Sequence, residues 1–283
     1  LVPPVIKAAL SLSLTLLAGA PATAAETSGF TPMVIKQVSV TRQLAMLQAV
    51  CDTGTLGIED GSAVCKVCPS FTSDAGGTAS RLQINNVIEG AFTRPNAAEV
   101  LIDVEGCESH SDLYGGGLIL ERTTDGWRRV FYRAGFRPGQ CITFRTLNQT
   151  VAVVCNIVDS AQGAQIGELK WVDLHAGKYT EKSLLRWFDN VQSNPRRLVS
   201  VFPHNFMKSD FNQDGRVDLR VMLRLRDQRV PEDYAGAIDA IAEGYGFAAP
   251  ETLRLIYLFD GKGFTLETGS EAVKKRIDLL LKE

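Results

Sequence analysis

Apolar and polar residues alternate along much of the chain after residue 82, with the two-residue period of half-buried β-strands. Residues 82–88 show this alternation, and glycine, proline, asparagine or aspartate bounds each similar segment, as expected where strands end in turns. The pattern predicts further strands over residues 99–104, 117–121, 127–132, 141–145, 151–158, 168–174, 217–226 and 253–259.

Three segments instead carry apolar residues at helical spacing. Residues 180–192 begin with a capping-box-like pattern and are apolar at positions 184, 185, 188 and 191. Residues 231–245 begin with Pro231 and two acidic residues, which favours a helix start. Residues 270–281 place apolar side chains on one face. The predicted fold class is therefore mainly β, with inserted helices near 180–192, 231–245 and 270–281.

A faint internal repeat relates two of the strand-rich regions. Phe92 and Glu99 in the first align with Phe211 and Asp218 in the second at one constant offset, and each unit continues to an Asp-Gly turn followed by an aromatic residue. Residues 141–174 are interpreted as a more diverged copy. Repeated strand–loop–strand units of this length stack as propeller blades or similar modules. The predicted fold is thus propeller-like or otherwise modular, with chance similarity as the alternative.

The first segment has the layout of a secretory signal peptide. Lys7 precedes an apolar run over residues 8–20, and small residues at positions 22 and 24 form a cleavage site. The run is shorter than the roughly 20 residues that a membrane-spanning helix needs. We expect residues 1–24 to be a cleaved signal peptide, residues 25–80 a cysteine-bearing segment and residues 81–283 a β-rich repeat domain. The mature chain is then secreted or periplasmic, with no membrane span.

Composition narrows the possible partners only a little. Hydrophobic residues make up 45% of the chain and charged residues 22%, as in ordinary globular proteins. The formal net charge is −2, and no basic run could follow a polyanion. We therefore expect no nucleic-acid partner, and the sequence identifies no other partner.

Six cysteines fit an oxidising compartment. A hairpin over residues 142–154 would bring its two flanking cysteines together, so we predict the disulfide Cys141–Cys155. The other four sort among themselves, and we favour Cys51–Cys65 with Cys68–Cys107. Cys65 and Cys68 also have the spacing of a redox dithiol, but a proline and a Gly/Ser/Thr-rich stretch follow them instead of a helix. Structural disulfides are the favoured interpretation.

One loop, residues 210–218, has the composition of a calcium site. Calcium binds six to eight oxygen atoms. Asp210, Asn212 and Asp214 place three side-chain oxygen groups at alternate positions, and Gly215 permits a sharp turn. The carbonyl of Arg216 and the carboxylate of Asp218 complete the predicted ligand set. Carboxylates this close repel one another without a cation, which is the physical reason to expect a structural calcium ion rather than a bare acidic turn.

The loop differs from an EF-hand and resembles another calcium-binding family. An EF-hand needs glutamate at its twelfth position, where this chain has Val221 followed by a strand-like pattern. The segment from Ser209 to Leu219 resembles the DxNxDGxxD calcium loop of FG-GAP repeats, found in integrin α-chain propellers and bacterial surface proteins. That resemblance implies ligands at the five positions named above. Family members usually carry several such loops, whereas the aligned first unit has Thr93, Pro95 and Asn96 in place of acids.

No motif identifies a catalytic residue. None of the three histidines has a metal-ligand partner at helical spacing, and no Gly-x-Ser-x-Gly motif occurs. Carboxylates that could face each other across a glycosidase-type cleft are Glu99, Asp103, Glu105 and Glu108. We expect an exported, non-enzymatic protein with one structural calcium loop. The alternatives are a secreted hydrolase with a dispersed carboxylate site, and a β module that binds carbohydrate or peptide through exposed aromatic residues in a groove.

Overall fold

The computed structural model describes residues 38–162, 164–190, 197–229 and 249–282. Two antiparallel sheets occupy most of these ranges, and in both the strands follow one another in chain order. The predicted signal peptide and the predicted helix at 231–245 lie outside the described residues. Within the described ranges, no helix combines the length and apolar character needed to cross a membrane.

The first sheet is a six-stranded meander in which each strand pairs with the next. Its strands are β1 (Leu56–Glu59), β2 (Ser62–Cys65), β3 (Leu82–Gly90), β4 (Glu99–Glu105), β5 (Gly115–Thr123) and β6 (Gly126–Ala134). Helix α1 (Val40–Leu47) packs on one face of it. The predicted boundary at residue 80 lies between β2 and β3, which pair with each other in this sheet.

The second sheet is an eight-stranded meander. Its strands are β7 (Cys141–Arg145), β8 (Val151–Ala161), β9 (Ala164–Asp173), β10 (Thr180–Asp189), β11 (Arg197–Ser209), β12 (Asp218–Arg229), β13 (Glu251–Phe259) and β14 (Phe264–Leu266). Helix α2 (Glu271–Leu280) follows β14, which confirms the helix predicted near 270–281. The sheet curls around its own core, because Phe144 on β7 and Phe264 on β14 have ring centroids 4.9 Å apart although both strands are edges.

The strand period explains how the two sheets build three layers of core, one of which lies between them. On β4, Val100, Ile102 and Val104 face α1. Leu101, between them, faces the second sheet and packs in one cluster with Val153 of β8. The opposite face of β8 contributes to the core inside the curled sheet. The mainly β prediction is therefore confirmed. The described strands form two antiparallel meanders, and the radial four-stranded blades of a propeller are not shown.

The prediction of a helix at 180–192 was wrong, because residues Thr180–Asp189 form strand β10. The pairing of β10 with β9 shifts register between Ser183 and Leu185, as at a β-bulge. An extra residue in one strand lets the neighbouring Leu184 and Leu185 both enter the same core. Adjacent buried leucines imitate helical spacing in the sequence, and pairing with β9 overrides that local signal.

All three predicted disulfides are present: Cys51–Cys65, Cys68–Cys107 and Cys141–Cys155. Cys141 and Cys155 are direct cross-strand partners on β7 and β8. No cysteine in the described ranges is free, so the redox-dithiol alternative for Cys65 and Cys68 does not apply. The three disulfides suggest an oxidising, extracytoplasmic environment.

Gly167 on β9 makes room for the indole of Trp187, its partner on β10. A Cβ at position 167 would lie 1.9 Å from the nearest ring atom. Gly167→Ala should therefore lower the free energy of unfolding by about 2 kcal/mol through overpacking, as measured by urea denaturation. Gly263→Ala is the matched control, because a Cβ there meets nothing within 4 Å. Equal losses in the two variants would contradict this account.

Candidate functional site

The acidic loop joins β11 to β12, two of the longest strands of the second sheet. Ser209 and Asp218 are the last paired residues of this hairpin, so residues 210–217 form its turn. Gly215 has a φ of 84°, a left-handed conformation that glycine adopts without steric cost. The hairpin thus presents the predicted ligand residues at the end of a well-paired ribbon.

The oxygen-bearing side chains of the loop fold inward onto its own backbone. Asp210 accepts hydrogen bonds from the N–H groups of Asp214 (3.0 Å) and Gly215 (2.8 Å). Asn212 Oδ1 accepts a second bond from Asp214 N at 3.1 Å. Asp214 Oδ1 accepts from Arg216 N at 2.8 Å. Three side chains from alternate positions therefore converge on the short stretch of residues 214–216.

The Asp214 carboxylate is stabilised in its charged form. The hydrogen bond from the Arg216 N–H lowers the pKa of Asp214 below its usual value, and the Asn212 amide and the Arg216 guanidinium act in the same direction. The Arg216 Nη1 lies 3.4 Å from Asp214 Oδ2. Asp214 consequently remains ionised at neutral pH and presents negative charge at the loop.

Asp218 differs from the other loop acids because it is fully buried. One of its oxygens accepts the N–H of Phe211 at 2.9 Å, and the other accepts the N–H of Phe259 on β13 at 2.8 Å. The carboxylate thereby ties the loop to the neighbouring strand. Among the described residues, no set of three or more His, Cys, Asp or Glu side chains is grouped closely enough to hold a metal ion.

The internal repeat has a structural counterpart at Glu99. Glu99 pairs with Gly90 at the end of the β3–β4 hairpin, as Asp218 pairs with Ser209. Its buried carboxylate accepts the N–H of Phe92 at 2.6 Å and that of Thr93 at 2.8 Å. The aligned acids therefore have the same structural role in both units. Each lies at the end of a hairpin and accepts the N–H of the aligned phenylalanine.

The acidic loop lies in a cluster of hairpin turns at one end of the molecule. Val151 N donates to Ala91 O at 2.7 Å, and Leu147 N donates to Gly261 O at 2.9 Å, so turns from both sheets are linked. A pocket of about 600 Å³ lies among them. Gly215, Arg216 and Val217 of the loop line it. The conformation of the acidic loop therefore determines part of the shape of this pocket.

The pocket also contains two basic residues that sequence reasoning missed, Arg145 and Lys208. Lys208 Nζ donates to the Thr143 carbonyl at 3.1 Å and lies over the Phe144 ring. The constant offset between the repeat units could have indicated that their turns share one end of the fold. Arg145 lies on β7 and Lys208 on β11, and the curling of the second sheet that brings these strands together has no local signal.

The carboxylates considered for a glycosidase-type cleft do not meet as a group. Glu99 closes its hairpin, and Glu108 accepts the Tyr132 hydroxyl at 2.5 Å and the Ser73 N–H at 3.3 Å. Glu105 accepts from the Asn85 amide at 2.7 Å. Asp103 lines a cavity between the two sheets. Three of the four are thus bound into local structure.

The histidines are likewise separate. His110 begins a 3-10 turn and lies 3.8 Å from an Asp159 oxygen, with both side chains more than half exposed. His175 begins another 3-10 turn, and His204 lies within β11. The three histidines therefore lie on three different elements.

Comparison of the chain with protein-family models, with curated proteins and with solved structures finds no match.

Proposed function

We propose that the chain is an exported, non-enzymatic β protein in which loop 210–218 binds one structural calcium ion. The observation that carries the proposal is the convergence of Asp210, Asn212 and Asp214 on the backbone of residues 214–216. Oxygen-bearing side chains at alternate positions of a sharply turned loop are the ligand arrangement that calcium loops use, which supports the proposal. Three disulfides support the exported location.

The residues present fit a calcium ion chemically. Asp210, Asn212 and Asp214 would supply side-chain oxygens and Arg216 its carbonyl, all hard ligands of the type that calcium prefers. Each oxygen of the Asp218 carboxylate has a further lone pair beyond its one backbone hydrogen bond, so Asp218 can complete the set. The ion would supply positive charge that relieves repulsion among the carboxylates.

The role proposed for the ion is to hold the cluster of hairpin turns around this pocket in one conformation. The loop's side chains now satisfy its own N–H groups, and most of the loop is exposed. An ion that joins the side chains of the loop would restrict a turn that otherwise depends on these exposed hydrogen bonds. The pocket beside Gly215 and Arg216 would keep a single shape as a result.

Calcium titration during thermal unfolding tests the proposal directly. If the dissociation constant is about 10 μM, 1 mM calcium should stabilise the wild-type protein by about 2.7 kcal/mol, seen as a higher melting temperature. Asp214→Ala should abolish the shift, because it removes a ligand from an exposed position. Asp125→Ala changes an exposed aspartate in the hairpin turn between β5 and β6 and should respond to calcium as the wild type does.

Three results would overturn the assignment. Calcium that leaves the wild-type melting temperature unchanged would remove the metal site. Turnover of a hydrolase substrate by the purified protein, lost on substitution of one carboxylate, would replace the non-enzymatic proposal with the secreted-hydrolase alternative. Equal shifts in Asp214→Ala and wild type would place calcium elsewhere on the protein.

A further inference from the structure

A second cavity, separate from the acidic loop, lies where β3 and β4 of the first sheet meet β8 of the second. We call it the inter-sheet cleft, and its volume is about 500 Å³, which is within the size range of small-molecule sites. Asp103 follows Leu101 on the face of β4 that points to the second sheet, so strand alternation places its carboxylate in the cleft. We propose that this cleft binds a neutral carbohydrate, through hydrogen bonds in its floor and an aromatic ring at its mouth.

The floor of the cleft contains a buried ion pair. Arg137 Nε lies 2.7 Å and Nη2 3.3 Å from the two oxygens of Asp103, which is 4% exposed. Burial raises the pKa of Asp103 above its usual value, against the opposing effect of Arg137. Gly139 lies in a 3-10 turn, Pro138–Gln140, and a Cβ there would lie 2.9 Å from the Asp103 carboxylate, so the glycine lets this turn come close. A buried ion pair of this kind stabilises a fold little more than well-packed apolar residues would. Its presence here therefore favours a role in ligand binding.

Amide side chains form the rest of the floor, and their orientation is fixed. Asn86 donates to the Gly139 carbonyl at 3.2 Å and accepts the Val87 N–H at 2.9 Å. Asn156 accepts the Trp187 Nε1–H at 2.9 Å and donates to Gln140 Oε1 at 3.0 Å. Gln140 is exposed, and its amide nitrogen has no hydrogen-bond partner in the described part of the chain. It can therefore donate to a ligand from an already ordered position.

A β-bulge beside the cleft also favours a binding site there. The pairing of β3 with β4 shifts register between Ile84 and Asn86, so Asn85 is an extra residue in the strand. Bulges of this kind redirect side chains and are frequent next to binding sites. Here the bulge allows both Asn85 and Asn86 to line the cleft, although adjacent residues of a regular strand face opposite sides.

The mouth of the cleft carries a strained backbone that presents an aromatic ring. Leu113 and Tyr114 both have left-handed φ angles, 52° and 53°, which is costly for residues with a Cβ. Arg137 Nη1 donates to the Leu113 carbonyl and Gly106 N to the Tyr114 carbonyl, each at 2.6 Å. The buried ion pair therefore holds the strained segment. The Tyr114 side chain is left 55% exposed at the mouth, 5.2 Å from the His110 ring.

The charges of the cleft select the class of ligand. The Arg137 guanidinium is paired with Asp103 and donates to the Leu113 carbonyl, so its charge is balanced within the protein and attracts an anionic ligand little. Asp103 and Asp159 would repel an anion. Sugar hydroxyls donate to carboxylates and accept from amides, and the C–H face of a sugar ring packs on an exposed aromatic ring. A neutral polyhydroxylated ligand satisfies all of these groups.

The test is binding of sugars that differ in charge to the full-length protein. Calorimetry and ligand-observed NMR would compare a panel of neutral hexose and N-acetylhexosamine disaccharides with glucosamine and glucuronate. We expect a neutral member to bind, and Tyr114→Ala to weaken it about tenfold, the effect of losing one aromatic contact. Tyr114→Phe keeps the ring, so it should lose only a small part of the affinity that Tyr114→Ala loses. Leu147→Ala, at a half-exposed site in the turn cluster, should bind as the wild type does.

Tyr114→Gly separates binding from folding. Glycine relieves the left-handed strain, so this variant should melt no lower than the wild type while binding at least about tenfold more weakly. The proposal is overturned if no neutral sugar binds at about 10 mM, or if only glucosamine or glucuronate binds. It is also overturned if Tyr114→Ala and Leu147→Ala weaken binding equally. Calcium binding at loop 210–218 is not needed for any of these outcomes.

Discussion

Asp218→Ala should destabilise the protein by about 4 kcal/mol, because it leaves two backbone N–H groups without an acceptor. Those groups belong to Phe211, in the acidic loop, and to Phe259, on the neighbouring strand β13. Each unsatisfied buried donor costs about 1–3 kcal/mol, and bonds to a charged acceptor lie at the upper end. Urea denaturation in the presence of a chelator measures this cost without any contribution from calcium.

Asp218→Asn should lower the free energy of unfolding by about half as much as Asp218→Ala. Asparagine keeps one oxygen for one of the two N–H groups but turns its own amide toward the other. The aligned acid of the first unit gives an independent comparison, since Glu99 also accepts two backbone N–H groups in a buried position. Glu99→Ala should therefore cost about as much as Asp218→Ala.

The exposed aspartate at position 125 serves as the control. Asp125→Ala should change the free energy of unfolding by less than about 0.5 kcal/mol, as most surface substitutions do. If Asp218→Ala behaved like this control in chelator, its carboxylate would matter only as a calcium ligand. If Glu99→Ala alone were severe, the aligned acids of the two repeat units would not be equivalent.

Local sequence patterns predicted much of the sheet structure. Two-residue alternation identified strands such as β12, which buries one face, and a short apolar run bounded by turn residues identified β4, which is buried on both faces. The pairing of Cys141 with Cys155 followed from a hairpin whose ends must meet. Helix α2 was identified because its apolar residues keep helical spacing without a bulge.

Features that depend on distant strands escaped prediction. Two neighbouring leucines on β10 imitate a helix, and only the bulged pairing with β9 explains their common burial. The loop acid Asp218 was identified, but its second partner, the N–H of Phe259, is 41 residues away in the chain. The inter-sheet cleft combines Asp103 with Asn156 of the other sheet, and no spacing in the sequence relates them. Sheet-to-sheet packing has no short-range signature.

Removal of the Cys68–Cys107 disulfide should destabilise the protein by about 4 kcal/mol. The bridge joins residues 39 apart, and its loss frees the unfolded chain from a long closed loop. The double variant Cys68→Ala/Cys107→Ala avoids leaving free thiols or buried hydroxyls. The bridge also ties the segment after β2 to the end of β4, so its loss should be seen by hydrogen exchange first in the first sheet.

The other two bridges provide a matched control within the same chain. Cys51–Cys65 and Cys141–Cys155 each span 14 residues, one in each sheet. On the chain-entropy account each should be worth about 3 kcal/mol, so their double alanine variants should match each other and lose about 1 kcal/mol less than the first. Urea midpoints with unchanged slopes measure this difference. If the two short bridges differed more from each other than from the long one, native-state packing around the cysteines would set their contribution, rather than the length of chain that each bridge closes.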